Sequence, residues 1–124
     1  MEIVKYTIIA GIGSFIGGTA RYLISVLVQQ LYKIGYPVST LFVNVFGSFF
    51  IGIVLAFWQR DIVSDSWRIF LATGILGGFT TFSSFSQEVM LMMRSGEFYS
   101  AFSYIGVSVL LGILACSLGF LMAK

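Results

Sequence analysis

Histidine is absent from the 124 residues, cysteine and proline occur once each, and charged side chains make up only 10% of the chain. Without histidine there is no imidazole metal site, no His proton relay and no Ser-His or Cys-His nucleophile. The lone Cys116 cannot close an intrachain disulfide and, among apolar neighbours, reads as an inert small hydrophobe. Net charge is +2 with the basic residues scattered, so nucleic acid finds no electrostatic footprint. The sequence holds no Walker phosphate loop, which excludes ATP-driven transport by this chain.

Apolar residues are abundant, at 58% of the chain, with a mean hydropathy of +0.99. Globular domains run nearer 45–50% apolar and about 25% charged. So small a chain has too much surface to hide that excess in a soluble core. An all-α integral membrane protein is expected. A helix crossing about 30 Å of hydrocarbon needs roughly 20 residues. Residues 1–124 are therefore read as a single four-helix transmembrane domain with short loops. Span 1 runs from Val4 into the Tyr22–Gln30 region, followed by a turn at Lys33–Tyr36. Span 2 is Val38–Trp58, opened by Pro37; span 3 is Ser66–Met93; span 4 is Phe98–Ala123. Lys5 ahead of an apolar stretch has the look of a signal peptide, but no small-x-small cleavage site precedes a soluble chain, so it belongs to the first span. Trp58 and Trp67 flank the middle loop, where interfacial aromatics belong.

Four spans place Lys5, Arg60, Arg68 and Lys124 on one side, and Arg21, Lys33 and Arg94 on the other. That near balance supplies almost no positive-inside bias. A small protein inserting both ways can pair antiparallel with itself.

Span 3 departs from a plain apolar helix. Residues 74–88 pack Gly74, Gly77 and Gly78 beside Thr80, Thr81, Ser83, Ser84 and Ser86 in what should be mid-membrane. Adjacent glycines weaken a helix by roughly 1 kcal/mol each relative to alanine. Freed backbone polar groups in a bilayer need protein, water or an ion to satisfy them, so broken helices at the midplane tend to line pathways or hold ions. Small residues also serve close helix packing, but packing alone does not call for two threonines directly after the glycines. At helical spacing Thr81, Ser84 and Glu88 form a polar stripe, with Phe79, Phe82 and Phe85 beside it. Ring edges carry partial positive charge and can face an anion.

Span 2 carries Thr40, Asn44, Gly47 and Ser48 on one face, and span 4 carries Tyr104, Ser108 and Gly112. Asn44 either hydrogen-bonds a neighbouring helix or donates to an anion stripped of water. Arg21, expected toward the end of span 1, either snorkels to headgroups or holds positive potential at a vestibule. Gly13-x-x-x-Gly17 reads as a close-packing motif. A cation pump would want membrane carboxylates, and Glu88 is the single candidate; hydroxyls, an amide and ring edges instead supply neutral donors for an anion that must also leave. The residues alone point to a small-anion pathway.

Gly77-Gly78-Phe79-Thr80-Thr81-Phe82-Ser83-Ser84-Phe85-Ser86 resembles the third-helix signature of the bacterial fluoride channel family, called Fluc or CrcB. Gly18-Thr19-Ala20-Arg21-Tyr22 and Thr40-Leu41-Phe42-Val43-Asn44-Val45-Phe46-Gly47-Ser48-Phe49 agree with it. The resemblance implies an antiparallel, dual-topology homodimer in the bacterial inner membrane, with two fluoride pores and a central sodium ion at the dimer interface. It implies that the backbone carbonyls of Gly77 and Thr80 hold the sodium, that Phe82 and Phe85 line the pore with Asn44 donating to fluoride, and that Thr81, Ser84, Tyr104, Ser108 and Glu88 form a polar track. Arg21 would sit near a vestibule. Fluoride would leave passively down its electrochemical gradient, relieving toxicity.

Two rivals remain. A small dual-topology, proton-coupled multidrug exporter needs a carboxylate deep in the first helix, and span 1 has none. A non-transport membrane assembly subunit leaves the broken third helix unexplained.

Overall fold

The computed structural model describes residues 2–32 and 35–124 and is all-helical across them. Four helical segments are long and apolar enough to cross a membrane. They are α1 (Glu2–Leu31), α2 (Val38–Gln59), a third span built from two pieces, and α5 (Phe98–Ala123). The first piece, α3, covers residues 65–79: a helical turn Asp65–Arg68, a π-helical stretch Ile69–Leu76 and a last turn Gly77–Phe79. The second piece, α4, is Phe82–Arg94. The chain is a multi-pass membrane protein whose spans fall within two residues of the run-length expectation. Lys33, counted above on one side of the membrane, and the Lys33–Ile34 part of the expected turn lie outside the described residues.

The loop between α2 and α3 turns sharply because Asp61 adopts a left-handed conformation (φ 60°). Ser64 then caps α3 by accepting from the Trp67 N–H at 3.3 Å. Trp58 donates from its indole to Asp65 at 2.7 Å, and the Arg68 guanidinium lies 4.7 Å over the Trp58 ring. Across this end Arg60 donates to the Ala123 carbonyl at 2.7 Å, and Ile9 and Ile12 of α1 share an apolar groove with Ser66 and Trp67. The start of α1, the middle loop and the end of α5 thus share one end, as four alternating spans require. At the opposite end Gly96 (φ 78°) makes the turn from α4 to α5, a conformation L side chains rarely adopt.

The packing is alternate rather than sequential. α1 lies along α3, and α2 lies along α5. Both contacts are backbone-close because glycines face them. A Cβ on Gly13 would stand 2.6 Å from the Phe70 carbonyl, and one on Gly17 would collide with the Ile75 carbonyl. Gly52 and Gly119 play the same part between α2 and α5, facing the Cys116 and Phe49 carbonyls. The Gly13-x-x-x-Gly17 pattern is therefore a packing motif, as its spacing suggested.

The third span breaks at Thr80 and Thr81, which are both extended (φ/ψ −87°/158° and −152°/119°). The glycine pair expected to carry the break is still helical. Gly78 instead lets α1 approach, since a Cβ there would meet the Ser14 carbonyl at 2.7 Å. The interruption falls on the two β-branched residues, which favour extended backbone.

Candidate functional site

Several of the backbone groups opened at the break are met by specific side chains. Leu76's carbonyl accepts from both the backbone N–H and the hydroxyl of Thr80, at 3.0 Å each. Gly78's carbonyl accepts from Arg21 Nε at 3.1 Å. The N-terminus of α4 is capped by Thr81, whose hydroxyl accepts from the Ser84 N–H at 3.1 Å. Asn44 reaches across from α2 and grips both backbone groups of Thr81: Nδ2 donates to its carbonyl at 3.0 Å, and Oδ1 accepts from its N–H at 2.7 Å. Among the described residues no donor bonds the carbonyls of Gly77 or Thr80. Gly77 is exposed on the surface of the chain.

Below the break, α2, α4 and α5 converge on Glu88. Thr40 donates to its Oε2 at 3.0 Å and Tyr104 to its Oε1 at 3.1 Å. Tyr104 is fully buried, with the Phe85 ring 5.1 Å and the Tyr36 ring 5.5 Å from its own. A carboxylate at membrane depth is expensive, and two hydroxyl donors offset part of that cost. One turn along α5, the Ser108 hydroxyl is buried and has no partner among the described residues. Beyond Glu88, farther from the break, a cavity of about 350 Å³ opens toward the end opposite the middle loop, walled by Ser25, Tyr32, Tyr36 and Glu97, with Thr40 and Glu88 at its inner edge.

The structure thus brings Asn44, Thr81 and Ser84 together at the break, and Glu88 and Tyr104 together below it. Phe85 sits against Tyr104. Phe82 lies 5.5 Å from Phe85, centroid to centroid, yet is 78% exposed on the outside of the chain. Arg21 differs from expectation in position. It stands ten residues inside the end of α1, level with the break, because α1 continues to Leu31. Its Nε is spent on Gly78, and it does not line the 350 Å³ cavity. Thr40 is the residue that sequence reasoning passed over: its place four residues before Asn44 marked the right face, but nothing local named Glu88 as its partner.

A family model described as "CrcB-like protein, Camphor Resistance (CrcB)" matches residues 8–120. The chain belongs to the CrcB family. Relatives extend over nearly the whole length. A Hyphomonas neptunium protein named "Fluoride-specific ion channel FluC" is 44% identical over 120 residues, covering 94% of each chain. A Thermus thermophilus protein of the same name is 42% identical over 120 residues, covering 97% of this chain and 94% of its own. "Fluoride-specific ion channel FluC 1" of Listeria innocua is 35% identical over 115 residues, covering 93% and 94%. The third-span signature that marked the CrcB resemblance is the segment that the structure breaks and reconnects.

Proposed function

We propose that this chain is a fluoride-selective channel, without enzymatic activity, that lets cytoplasmic fluoride leave passively down its electrochemical gradient and so limits fluoride toxicity. The observation that carries the reading is the set of neutral polar groups at and below the break, the Asn44 amide, the Tyr104 hydroxyl held on Glu88 and the Ser108 hydroxyl, which has no partner among the described residues, in a chain whose CrcB relatives are named fluoride channels. Fluoride is small and strongly hydrated, so a pathway must replace its water with close donors while holding it loosely enough to release it. Phe82 and Phe85 supply the apolar wall, Asn44 a remaining amide N–H, and Thr81, Ser84, Tyr104, Ser108 and Glu88 the polar side. Arg21 adds positive potential at the level of the break.

The working unit in this reading is an antiparallel, dual-topology homodimer in the bacterial inner membrane. The exposed edge at Gly77 supports it, because its unbonded carbonyl would otherwise face lipid. The free carbonyls of Gly77 and Thr80 fit a sodium ion, a hard cation that takes oxygen ligands. When bound, sodium would supply the positive charge that satisfies those carbonyls where two broken spans meet.

The test is fluoride efflux from liposomes containing the purified protein, with chloride as control. Selective fluoride efflux is expected. Absence of fluoride flux, or equal chloride flux, overturns the reading.

A further inference from the structure

Asn44 is bound to the backbone of the break itself. Its carboxamide has one acceptor and two donors. The acceptor and one donor are committed to the N–H and carbonyl of Thr81. Thr81 is the second extended residue of the break and the N-cap of α4, and its amide is joined directly to the Thr80 carbonyl. The direction of the Thr80 carbonyl is therefore set by the same peptide plane whose N–H Asn44 holds at 2.7 Å. Two neighbouring residues of α2 reinforce the seat. Thr40, one turn before Asn44, holds α4 through Glu88, and Gly47 leaves room for the Thr80 methyl, which a Cβ there would strike. Among the described residues the second N–H of Asn44 Nδ2 has no partner.

From this arrangement we infer that Asn44 is a positioning residue that couples the anion pathway to the cation site of the break. Its amide fixes the Thr80–Thr81 peptide, and with it the orientation of the Thr80 carbonyl, while its remaining N–H is available to the anion. The two ions then sense each other through one side chain: donation of the free N–H to fluoride makes Oδ1 a better acceptor and tightens its hold on Thr81. By linkage, each ion's affinity changes with the other's presence. The inference rests on the proposal above that Gly77 and Thr80 hold sodium.

The measurement is thermal stability of the purified protein in detergent against sodium concentration, since a ligand of the folded state raises Tm as its concentration passes Kd. Asn44→Ala and Asn44→Leu are expected to move the sodium midpoint up by about two- to ten-fold, the equivalent of losing one net hydrogen bond at the site. Trp58→Phe, at the far end of the molecule, is the control; it should lower Tm at every sodium concentration and leave the midpoint in place. Folded Asn44 variants with the wild-type midpoint overturn the coupling while leaving the channel reading intact. A wild-type protein whose Tm ignores sodium overturns the cation site and the coupling together. If neither Asn44 variant folds, the wild type decides: fluoride in place of chloride should lower the sodium midpoint, and an identical midpoint in both salts overturns the inference.

Discussion

Arg21 and Gly78, 57 residues apart in the chain, meet at the break of the third span, where the guanidinium Nε donates to the glycine carbonyl at 3.1 Å. The helix end at residue 79 would otherwise direct its carbonyls into hydrocarbon, where each unsatisfied group is costly. The arginine supplies both a donor and the positive charge that a helix C-terminus favours. Arg21→Ala should destabilise the protein by about 1.5–3 kcal/mol, the range for hydrogen bonds to charged groups. Arg21→Lys, which keeps the charge but not the planar donor fork, should recover part of it. Denaturant titration in detergent measures both, and equal stability of Arg21→Ala and wild type would count against this capping role.

The contact between α1 and α3 predicts opposite outcomes for glycines two residues apart. Gly13→Ala places a methyl against the Phe70 carbonyl and the Gly74 backbone, whereas Gly11 has nothing within 4 Å. Gly13→Ala should cost about 1–3 kcal/mol, as overpacking does. Gly11→Ala should be neutral or stabilising by up to about 1 kcal/mol, because alanine loses less backbone freedom in a helix. Thermal unfolding of the two variants side by side checks the sign of each.

Glu88 and its two donors form one polar unit, so their removal should not add. Tyr104→Phe and Thr40→Val each take away a hydroxyl from a carboxylate at membrane depth, at about 1.5–3 kcal/mol. Each should also slow fluoride efflux. In the Glu88→Gln background the same changes should cost markedly less. A double-mutant cycle measures the difference, with about 0.5–3 kcal/mol of coupling expected for groups in direct contact.

Phe82 and Phe85 should separate function from folding. Phe82 is largely outside the chain's own packing, so Phe82→Ile should leave the stability of the subunit within about 0.5 kcal/mol, as for exposed positions, while reducing fluoride efflux. Phe85 packs on Tyr104, so Phe85→Ala should lower both efflux and stability. Liposome efflux and unfolding measured on the same preparations check this. Unchanged efflux in Phe82→Ile would remove it from the pathway.

The four spans were legible because membrane thickness makes run length alone informative, and the limits of α5 fall where the apolar run begins and ends. The break was legible in kind but displaced in place. Gly77 and Gly78 carry low helix propensity, yet they stay helical because α1 packs against Gly78 and the threonines after them take the extended turn. The π-helical stretch Ile69–Leu76 has no sequence signal, since eight apolar and small residues suit an α-helix equally well. Arg21 on Gly78 and Thr40 on Glu88 were illegible for a related reason. Their partners lie 57 and 48 residues away, and helical periodicity names a face without naming what it meets.

Because α1 lies on α3 and α2 on α5, neither half of the chain contains a complete helix pair. The segments on either side of the middle loop interleave like clasped fingers, so no hairpin emerging first from the insertion machinery can reach its final packing alone. Until the other half is present, the glycine-lined faces of either half lack their main packing partner. Two separately expressed halves, divided at residues 60–64, should therefore be degraded singly and rescue one another when made together.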